Sequence, residues 1–283
     1  MPNLKALRKR VATVRSTQQI TRAMKMVAAA KLRLAEEAVV RARPFAGRIA
    51  QLVATVAGGE AGTAHPLLMA REVSRLHVVV ITGDRGLCGA YNSNLIRRTE
   101  LFLREVGKEA TMTAVGRKGA DYFRRRGASV IEQLPGPVAA PPVQTARTLA
   151  ARLMERVRTG ETDAVYMVYA TFRSVVSQVP TVRRLIPVEI PETAEAAPDF
   201  VYEPGASAVL AALVPRYVMA EIGQALLEGA ASEQGARMAA MDNATRNASE
   251  LIDRLTLQMN RARQAAITRD LMEIVSGAEA LKG

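Results

Sequence analysis

Apolar residues recur every three or four positions through the first part of the chain. Three blocks form this stripe: Leu4, Leu7, Val11 and Val14, then Ile20, Met24 and Val27, then Leu32, Ala35 and Val39. The stripe steps sideways between blocks, as expected for a long helix in a coil with changing neighbours. The pattern predicts a helix over residues 2–57 that Pro44 kinks or ends and that Gly58-Gly59 stops.

The last part of the chain, residues 207–281, has the most regular helical pattern. Its seam runs through Met238, Met241, Thr245, Ala248, Ile252, Leu255, Met259, Ala262 and Ala266. An unbroken helix of this length would measure about 110 Å at about 1.5 Å per residue. No single compact domain contains so long a helix, so we expect it to protrude or to be covered by another chain. Because the rest of the chain lies between them, the two terminal helices can pair only as an antiparallel coiled coil.

The middle of the chain alternates between strand and helix patterns. Strands are predicted at 78–81, 111–115, 164–169 and 182–188, and helices at 90–105, 118–126 and 144–158. Strands that alternate with helices indicate a mostly parallel sheet. The predicted fold class is therefore α/β, with a long antiparallel coiled coil of N- and C-terminal helices and a central Rossmann-like α/β domain. The predicted boundaries are 1–57, 58–206 and 207–283.

Composition narrows the function classes. The 283 residues include one cysteine, Cys88, and two histidines, His65 and His77, which excludes an internal disulfide and leaves too few ligands for a Cys/His metal cluster. No run of residues approaches the roughly 18–20 consecutive apolar residues of a membrane span, and the N-terminus lacks the apolar stretch of a secretory signal. Aromatic residues make up only 4%, which argues against a stacking-based nucleic-acid binder.

The formal net charge of +12 is concentrated at the N-terminus. Residues 1–43 carry eleven Lys and Arg against two Glu, whereas residues 207–283 carry eight against nine Asp and Glu. A basic first segment indicates an acidic partner, and a solvated basic helix face is the alternative. The near-neutral C-terminal helix argues against nucleic acid, because half of the coil would offer phosphate no net attraction.

Candidate chemistry is confined to the segment TGDRGLCGAYN at 82–92, which follows a strand and precedes a helix. Phosphate binds at such places, but the glycine spacing matches neither G-x-G-x-x-G nor a P-loop. A tight turn packed on a neighbour is the favoured interpretation, and a phosphate or nucleotide site is the alternative. Cys88 is interpreted as a small buried residue rather than a nucleophile. No catalytic, cofactor or metal site is predicted.

Segments at both ends resemble the gamma subunit family of F-type ATP synthases. The resemblance rests on ITRAMKMVAAAKLRLA at 20–35 and on MAAMDNATRNASELIDRLTLQMNRARQAAITRDLMEIVSGAEAL at 238–281. Residues 82–98, VYEP at 201–204 and LVPRYV at 213–218 are similar to the same family. Asp270 departs from it, because the family usually has glutamate there. The inserted cysteine pair of redox-regulated chloroplast forms is also missing.

The resemblance implies a rotor shaft present in one copy per complex. Its terminal helices would enter a hexamer of alpha and beta subunits, and its α/β domain would contact epsilon and the c ring. Proton flow through the ring would turn the shaft and drive ATP synthesis on partner chains, with no cofactor on this chain. The implied location is the cytoplasmic side of a bacterial plasma membrane, as a peripheral protein.

The same resemblance implies residue roles. Contacts with the alpha/beta hexamer are expected for Met24, Arg237, Arg263, Gln264, Thr268 and Asp270. Softer candidates for the same role are Arg8, Lys9 and Arg10, for which a solvated face is the alternative. Contacts with epsilon and the c ring are expected for Tyr202 and Glu203. Close packing at the helix seam is expected for Ala262 and Ala266.

Overall fold

A computed structural model describes residues 4–57, 65–69, 72–189 and 202–280. The helices are α1 (Leu4–Ala57), α2 (Tyr91–Val106), α3 (Arg117–Arg125), α4 (Pro142–Arg158) and α5 (Ala206–Ala280). The strands are β1 (Arg75–Ile81), β2 (Glu109–Val115), β3 (Ser129–Leu134), β4 (Ala164–Ser174) and β5 (Ser177–Ile186). The chain forms two compact units, one of Met1–Val27 with Met238–Gly283 and the other of Ala28–Arg237. The three-part division made from the sequence stays a prediction.

The Ala28–Arg237 unit is built on one five-stranded sheet of order β3-β2-β1-β4-β5. The pairs β3–β2, β2–β1 and β1–β4 are parallel, whereas β4 and β5 form an antiparallel hairpin. This arrangement confirms the predicted α/β class with a mostly parallel sheet. Helices cover both faces, as parallel strands require because they are apolar on both sides.

Alternate residues of β1 enter two separate cores. Val79 and Ile81 point to one face, where they pack with α4, the end of α1 and the first part of α5. Val78 and Val80 point to the other face, where they pack with α2 and α3. The period of two residues along a strand thus explains the uninterrupted apolar run that predicted β1.

The other unit is an antiparallel pair of helix segments. Thr21 of α1 lies opposite Thr245 of α5, with 2.8 Å between their hydroxyl oxygens, and Leu7 and Val11 pack with Leu255. Moving forward along α1 therefore means moving backward along α5, which confirms the antiparallel pairing.

Both long helices continue through a proline. The prediction that Pro44 could end the first helix is wrong, because α1 runs without interruption to Ala57. Pro44 removes one N–H bond to the carbonyl of Val40, but both residues are exposed, so water can satisfy that carbonyl. Helix α5 likewise contains Pro215. The expected stop at Gly58-Gly59 lies outside the described residues.

The sheet contains one strand that the sequence pattern missed. Strand β3 alternates between exposed and half-buried residues and includes Glu132 and Gln133, so it has no continuous apolar run. Strand β5 begins at Ser177, five residues before the predicted strand at 182–188, because its first half lies on an edge and is only partly buried.

Helix α5 also corrects one expectation about membranes. It contains an 18-residue window with mean hydropathy 1.3, which is long and apolar enough to cross a membrane by composition alone. The core helix of a soluble domain passes the same test. Leu210, Val214, Ile222 and Leu226 of this helix are fully buried in the α4 side of the sheet unit.

Candidate functional site

The glycine segment at 82–92 is held by Asp84, whose carboxylate joins three chain segments. One oxygen accepts the backbone N–H of Arg117 at 2.9 Å, and the other accepts the backbone N–H of Gly136 at 2.9 Å. These residues follow β2 and β3, so Asp84 ties together the carboxyl ends of β1, β2 and β3. The sequence interpretation of Asp84 as a turn residue missed this second role, since its partners are 33 and 52 residues away.

The start of α3 is not free to bind phosphate. The N–H of Lys118 donates to the carbonyl of Gly83 at 3.1 Å, and that of Gly119 donates to the Thr82 hydroxyl at 2.9 Å. With Arg117 bound to Asp84, the first three N–H groups of α3 are all used inside the chain. A phosphate-binding helix needs these groups unpaired, so α3 is not such a helix. The segment 82–92 itself precedes α2, whose Tyr91 N–H donates to the Cys88 carbonyl at 3.2 Å, and the nucleotide alternative for that segment stays a prediction.

Cys88 is a buried structural residue. Its side chain is only 1% exposed, and its sulfur accepts the Asn92 amide at 3.2 Å. Burial raises the pKa of the thiol, which keeps the less reactive protonated form. His77 could not act as its base, because both ring nitrogens are within 3.0 Å of the Thr111 and Thr113 hydroxyls. The described residues contain no group of three or more His, Cys, Asp or Glu placed to hold a metal.

Arg237 lies against the same glycine segment. It donates to Glu233 one turn earlier at 2.7 Å and to the carbonyl of Gly86 at 3.3 Å. The Glu233 carboxylate covers Gly83, where an added Cβ would come within 2.9 Å of it. Burial raises the pKa of Glu233, and the Arg237 guanidinium opposes that shift. The predicted contact residue Arg237 is thus engaged within the chain.

A polar layer joins α1 and α5 in the unit formed by the chain ends. Lys25 Nζ lies 2.6 Å from Asp242 Oδ1, and Arg246 Nη2 lies 2.5 Å from Asp242 Oδ2. These two cations hold the pKa of the Asp242 carboxyl below its usual range, chiefly through the hydrogen bond from Lys25. Met24, adjacent to Lys25, is partly buried.

The end of α5 is exposed over its described side chains from 263 to 278. Four predicted contact residues lie here, namely Arg263, Gln264, Thr268 and Asp270. Ala262 packs partly against the Leu7–Val11–Leu255 cluster, but Ala266 is exposed. The expectation that Ala266 closes the seam is therefore not met in the isolated chain, because no described residue of α1 lies opposite it. Large apolar side chains share this surface: Ile267, Leu271, Met272, Ile274 and Val275 are each more than 50% exposed.

The second predicted contact region lies just before α5. Tyr202 packs partly against the core on the α4 side of the sheet, whereas Glu203 is exposed. Val201 of the VYEP segment lies outside the described residues. Tyr202 and Glu203 lie near each other only because they are consecutive in the sequence.

The ion pairs of α5 were not predicted from the sequence. Glu233 with Arg237 and Asp242 with Arg246 are both acid–base pairs four residues apart on one helix, a spacing that could have been recognised. Lys25 with Asp242 could not be found this way, because the pair depends on the register between two helices.

Comparisons with known proteins agree with this architecture. The sequence model of the family described as ATP synthase matches residues 3–281. The chain is 49% identical to the ATP synthase gamma chain of Pelotomaculum thermopropionicum over 284 residues, and 49% identical to that of Moorella thermoacetica over 282 residues. Each alignment covers all of both chains.

Solved structures show the same fold. A chain of the Euglena gracilis mitochondrial ATP synthase, from a structure of OSCP, F1 and the c ring, matches with a TM-score of 0.70 and 21% identity, over 98% of this chain and 94% of that one. A chain from the central stalk and c ring of the Tetrahymena thermophila enzyme matches with a TM-score of 0.64 and 24% identity, over 80% and 99%.

A parallel-sheet unit and an antiparallel pair of terminal helices thus define a central-stalk subunit of a rotary ATP synthase. By its full-length similarity to the bacterial relatives, the chain belongs to the ATP synthase gamma chain family. Its role is that of the gamma rotor subunit.

Proposed function

We propose that the exposed end of α5 is the part of the shaft that turns inside the alpha/beta hexamer. The supporting observation is the set of large apolar side chains on a helix segment that has no α1 residue opposite it among those described. Ile267, Leu271 and Ile274 lie on one helical face, and each is at least 51% exposed. An apolar face of this kind needs cover from another chain.

The N-terminal end of α1 contributes charge to the same interface. Arg8, Lys9 and Arg10 are exposed and form no ion pair within the described part of the chain. Acidic loops on the beta subunits would complement this surface. The partner contacts proposed for the hexamer are therefore Met24, Arg263, Gln264, Thr268 and Asp270 on the coil, with the softer candidates Arg8, Lys9 and Arg10.

Arg237 has a different role in this proposal. Its bonds to Glu233 and Gly86 hold the glycine segment in shape, so it supports the interface by positioning neighbouring residues. If Arg237 contacts the hexamer directly, it either keeps its bonds to Glu233 and Gly86 or replaces them with bonds to the hexamer.

Tyr202 and Glu203 are proposed to lie where epsilon and the c ring dock. Proton flow through the ring would turn the subunit, and its asymmetry would force the beta subunits through different conformations. Catalytic sites would lie on the beta subunits, so this chain takes part in ATP synthesis without being catalytic. The proposed location is peripheral, on the cytoplasmic side of a bacterial plasma membrane, with contact only through the c ring.

Co-purification tests the proposal. The full chain is mixed with the alpha and beta subunits of the Moorella thermoacetica ATP synthase, and the stoichiometry of the isolated complex is measured. One copy per three alpha and three beta subunits is expected. A chain that stops at Ala262 keeps the described coil but lacks the exposed segment, and its complex should be much weaker. Equal recovery of both chains would contradict the proposed role of this segment.

A further inference from the structure

The seam between α1 and α5 in the unit of the chain ends has two chemically different parts. Its apolar part consists of Leu7, Val11 and Leu255, with Val14, Leu251, Ile252, Met259 and Ala262 packed around them. Its polar part pairs Thr21 with Thr245 and Lys25 with Asp242. The two parts place different demands on how the helices align.

The apolar part favours the observed register chiefly through Leu255. Moving α5 by seven residues would bring Ala262 to the place of Leu255 and Gln258 to the place of Leu251, and moving it the other way would bring Ala248 to the place of Leu255. Either shift replaces a buried leucine with alanine, which loses apolar burial but places no charge at the centre of the cluster.

The polar part does not tolerate the same movement. In the observed register the two hydroxyl oxygens lie 2.8 Å apart, and each hydroxyl also has a carbonyl of its own helix within reach, Gln18 at 3.0 Å for Thr21 and Met241 at 2.7 Å for Thr245, so one hydroxyl donates to its carbonyl and the other donates across the seam. A shift of one heptad would place Ile252 or Met238 opposite the Thr21 side chain, which is 9% exposed. It would also separate Lys25 from Asp242. The Thr21 hydroxyl would still reach the Gln18 carbonyl, but the loss of the cross-helix hydrogen bond and of the ion pair both disfavour the shifted register.

We propose that Thr21, Lys25, Asp242 and Thr245 form a register lock that selects one alignment of the antiparallel coil. Polar residues inside coiled coils have this effect elsewhere, because they are satisfied in only one register. Arg246 supports the lock by binding the second oxygen of Asp242.

The register determines how far α5 extends beyond the beginning of α1. A slip of one heptad would change this length by about 10 Å, at about 1.5 Å per residue. If the exposed segment turns inside the hexamer, as the proposed function states, the lock places its contact residues at the correct depth. This functional consequence rests on the proposed function, whereas the lock itself does not.

Disulfide trapping in the full-length chain tests the lock. With Cys88→Ser as background, Val14→Cys with Ile252→Cys reports the observed register, because these positions lie one heptad from Thr21 and Thr245. Val14→Cys with Met259→Cys reports the shifted register. A disulfide requires Cα atoms about 4.4–6.8 Å apart, so each pair forms efficiently in only one alignment.

The lock is removed by Thr21→Val, Lys25→Met, Asp242→Met and Thr245→Val together. These apolar replacements favour coiled-coil formation, and circular dichroism verifies that helix content is kept. We expect the yield of the shifted disulfide, relative to the observed one, to rise by at least about tenfold, or about 1.4 kcal/mol. The matched control is Lys25→Arg with both threonines and Asp242 unchanged, which keeps a cation beside Asp242, and its yields should stay near those of the parent.

Unchanged yields in the apolar variant would show that the register is set elsewhere, and the proposal would be wrong. Since the readout needs no partner subunit, it is independent of the proposed function. A chain with the expected trapping pattern that fails to join alpha and beta subunits would contradict the proposed function alone.

Discussion

Arg237 donates a 2.7 Å hydrogen bond to Glu233, and both side chains are largely buried, at 13% and 4% exposure. The pair lies against the glycine segment, since Arg237 also reaches the carbonyl of Gly86. Residues that looked like surface contacts in the sequence can therefore act inside the subunit. This relationship leads to the first prediction.

Replacing Arg237 with alanine should destabilise the sheet unit. Arg237→Ala leaves the Glu233 carboxylate buried without its cation, and loss of one partner of a buried pair costs about 3 kcal/mol. Urea unfolding of the isolated chain at pH 7 measures the change in the free energy of unfolding. The control is Arg158→Ala, which breaks an exposed pair with Glu155 and should leave the stability unchanged within error. Equal effects of the two substitutions would contradict a structural role for Arg237.

His77 should make the stability depend on pH. Burial lowers the pKa of its imidazole from 6.5 to about 4, with a smaller contribution from Arg156. The unfolded chain therefore takes up this proton at a higher pH than the folded chain. The stabilisation is complete above pH 6.5 and is lost as the pH falls from 6.5 towards 4, by about 3 kcal/mol in total.

Urea unfolding of the parent and of His77→Asn between pH 7 and pH 4 measures this loss. The asparagine variant should show a shallower decline, because the side chain at position 77 no longer takes up a proton. Parallel curves for the two proteins would mean that His77 is not the origin of the acid sensitivity.

Gly116 is expected to tolerate no side chain. Its backbone has φ of +96°, and an added Cβ would lie 2.1 Å from the Thr82 carbonyl oxygen. Gly116→Ala should lower the free energy of unfolding by about 3 kcal/mol or more, because the clash is with backbone. Gly127 is the matched control, since it has φ of +74° but open space around its Cβ position. Gly127→Ala should cost only about 1–2 kcal/mol, the cost of the left-handed conformation.

Substitutions at two exposed alanines of α5 distinguish an effect on the stability of the chain from an effect on the coupling of ATP hydrolysis to proton pumping. Ala266 lies in the exposed segment and Ala208 lies near the beginning of the helix, and both are exposed. Ala266→Trp and Ala208→Trp should each change the stability of the isolated chain by less than about 0.5 kcal/mol. In the assembled enzyme, ATP-driven proton pumping should fall much more for Ala266→Trp, because only that position is proposed to lie within the hexamer. Equal loss of pumping for both would contradict the proposed placement.

The sequence pattern predicted the elements whose burial is periodic. The long helices and β1 have apolar residues at the spacing of one buried face or of a strand buried on both sides, so their positions were clear. Strand β3 escaped because an edge strand needs no apolar run, and α1 continued through Pro44 because the lost bond faces water. Pairings between distant segments, such as Lys25 with Asp242, depend on register, which periodicity does not determine.

The same limit applied to the candidate site. Family resemblance named Arg237 as a hexamer contact, which stays a prediction, and its buried partner Glu233 is apparent only when the helix is packed on the glycine segment. In contrast, the exposure of Arg263, Gln264, Thr268 and Asp270 follows from the extension of α5 beyond the start of α1. Ala266 follows the heptad pattern too, yet it is exposed, because a periodic seam does not reveal where the partner helix begins.

Observation of rotation tests the central claim most directly. Cys88 is buried, so a bead would be attached through Val176→Cys in a Cys88→Ser background, at a turn residue that is 87% exposed. The labelled chain is assembled with alpha and beta subunits fixed to a surface, and ATP is added. Stepwise rotation that requires ATP is the predicted result. A chain that fails to enter the hexamer under conditions where the Moorella thermoacetica relative does, or a complex that hydrolyses ATP while the bead stays still, would contradict the rotor assignment.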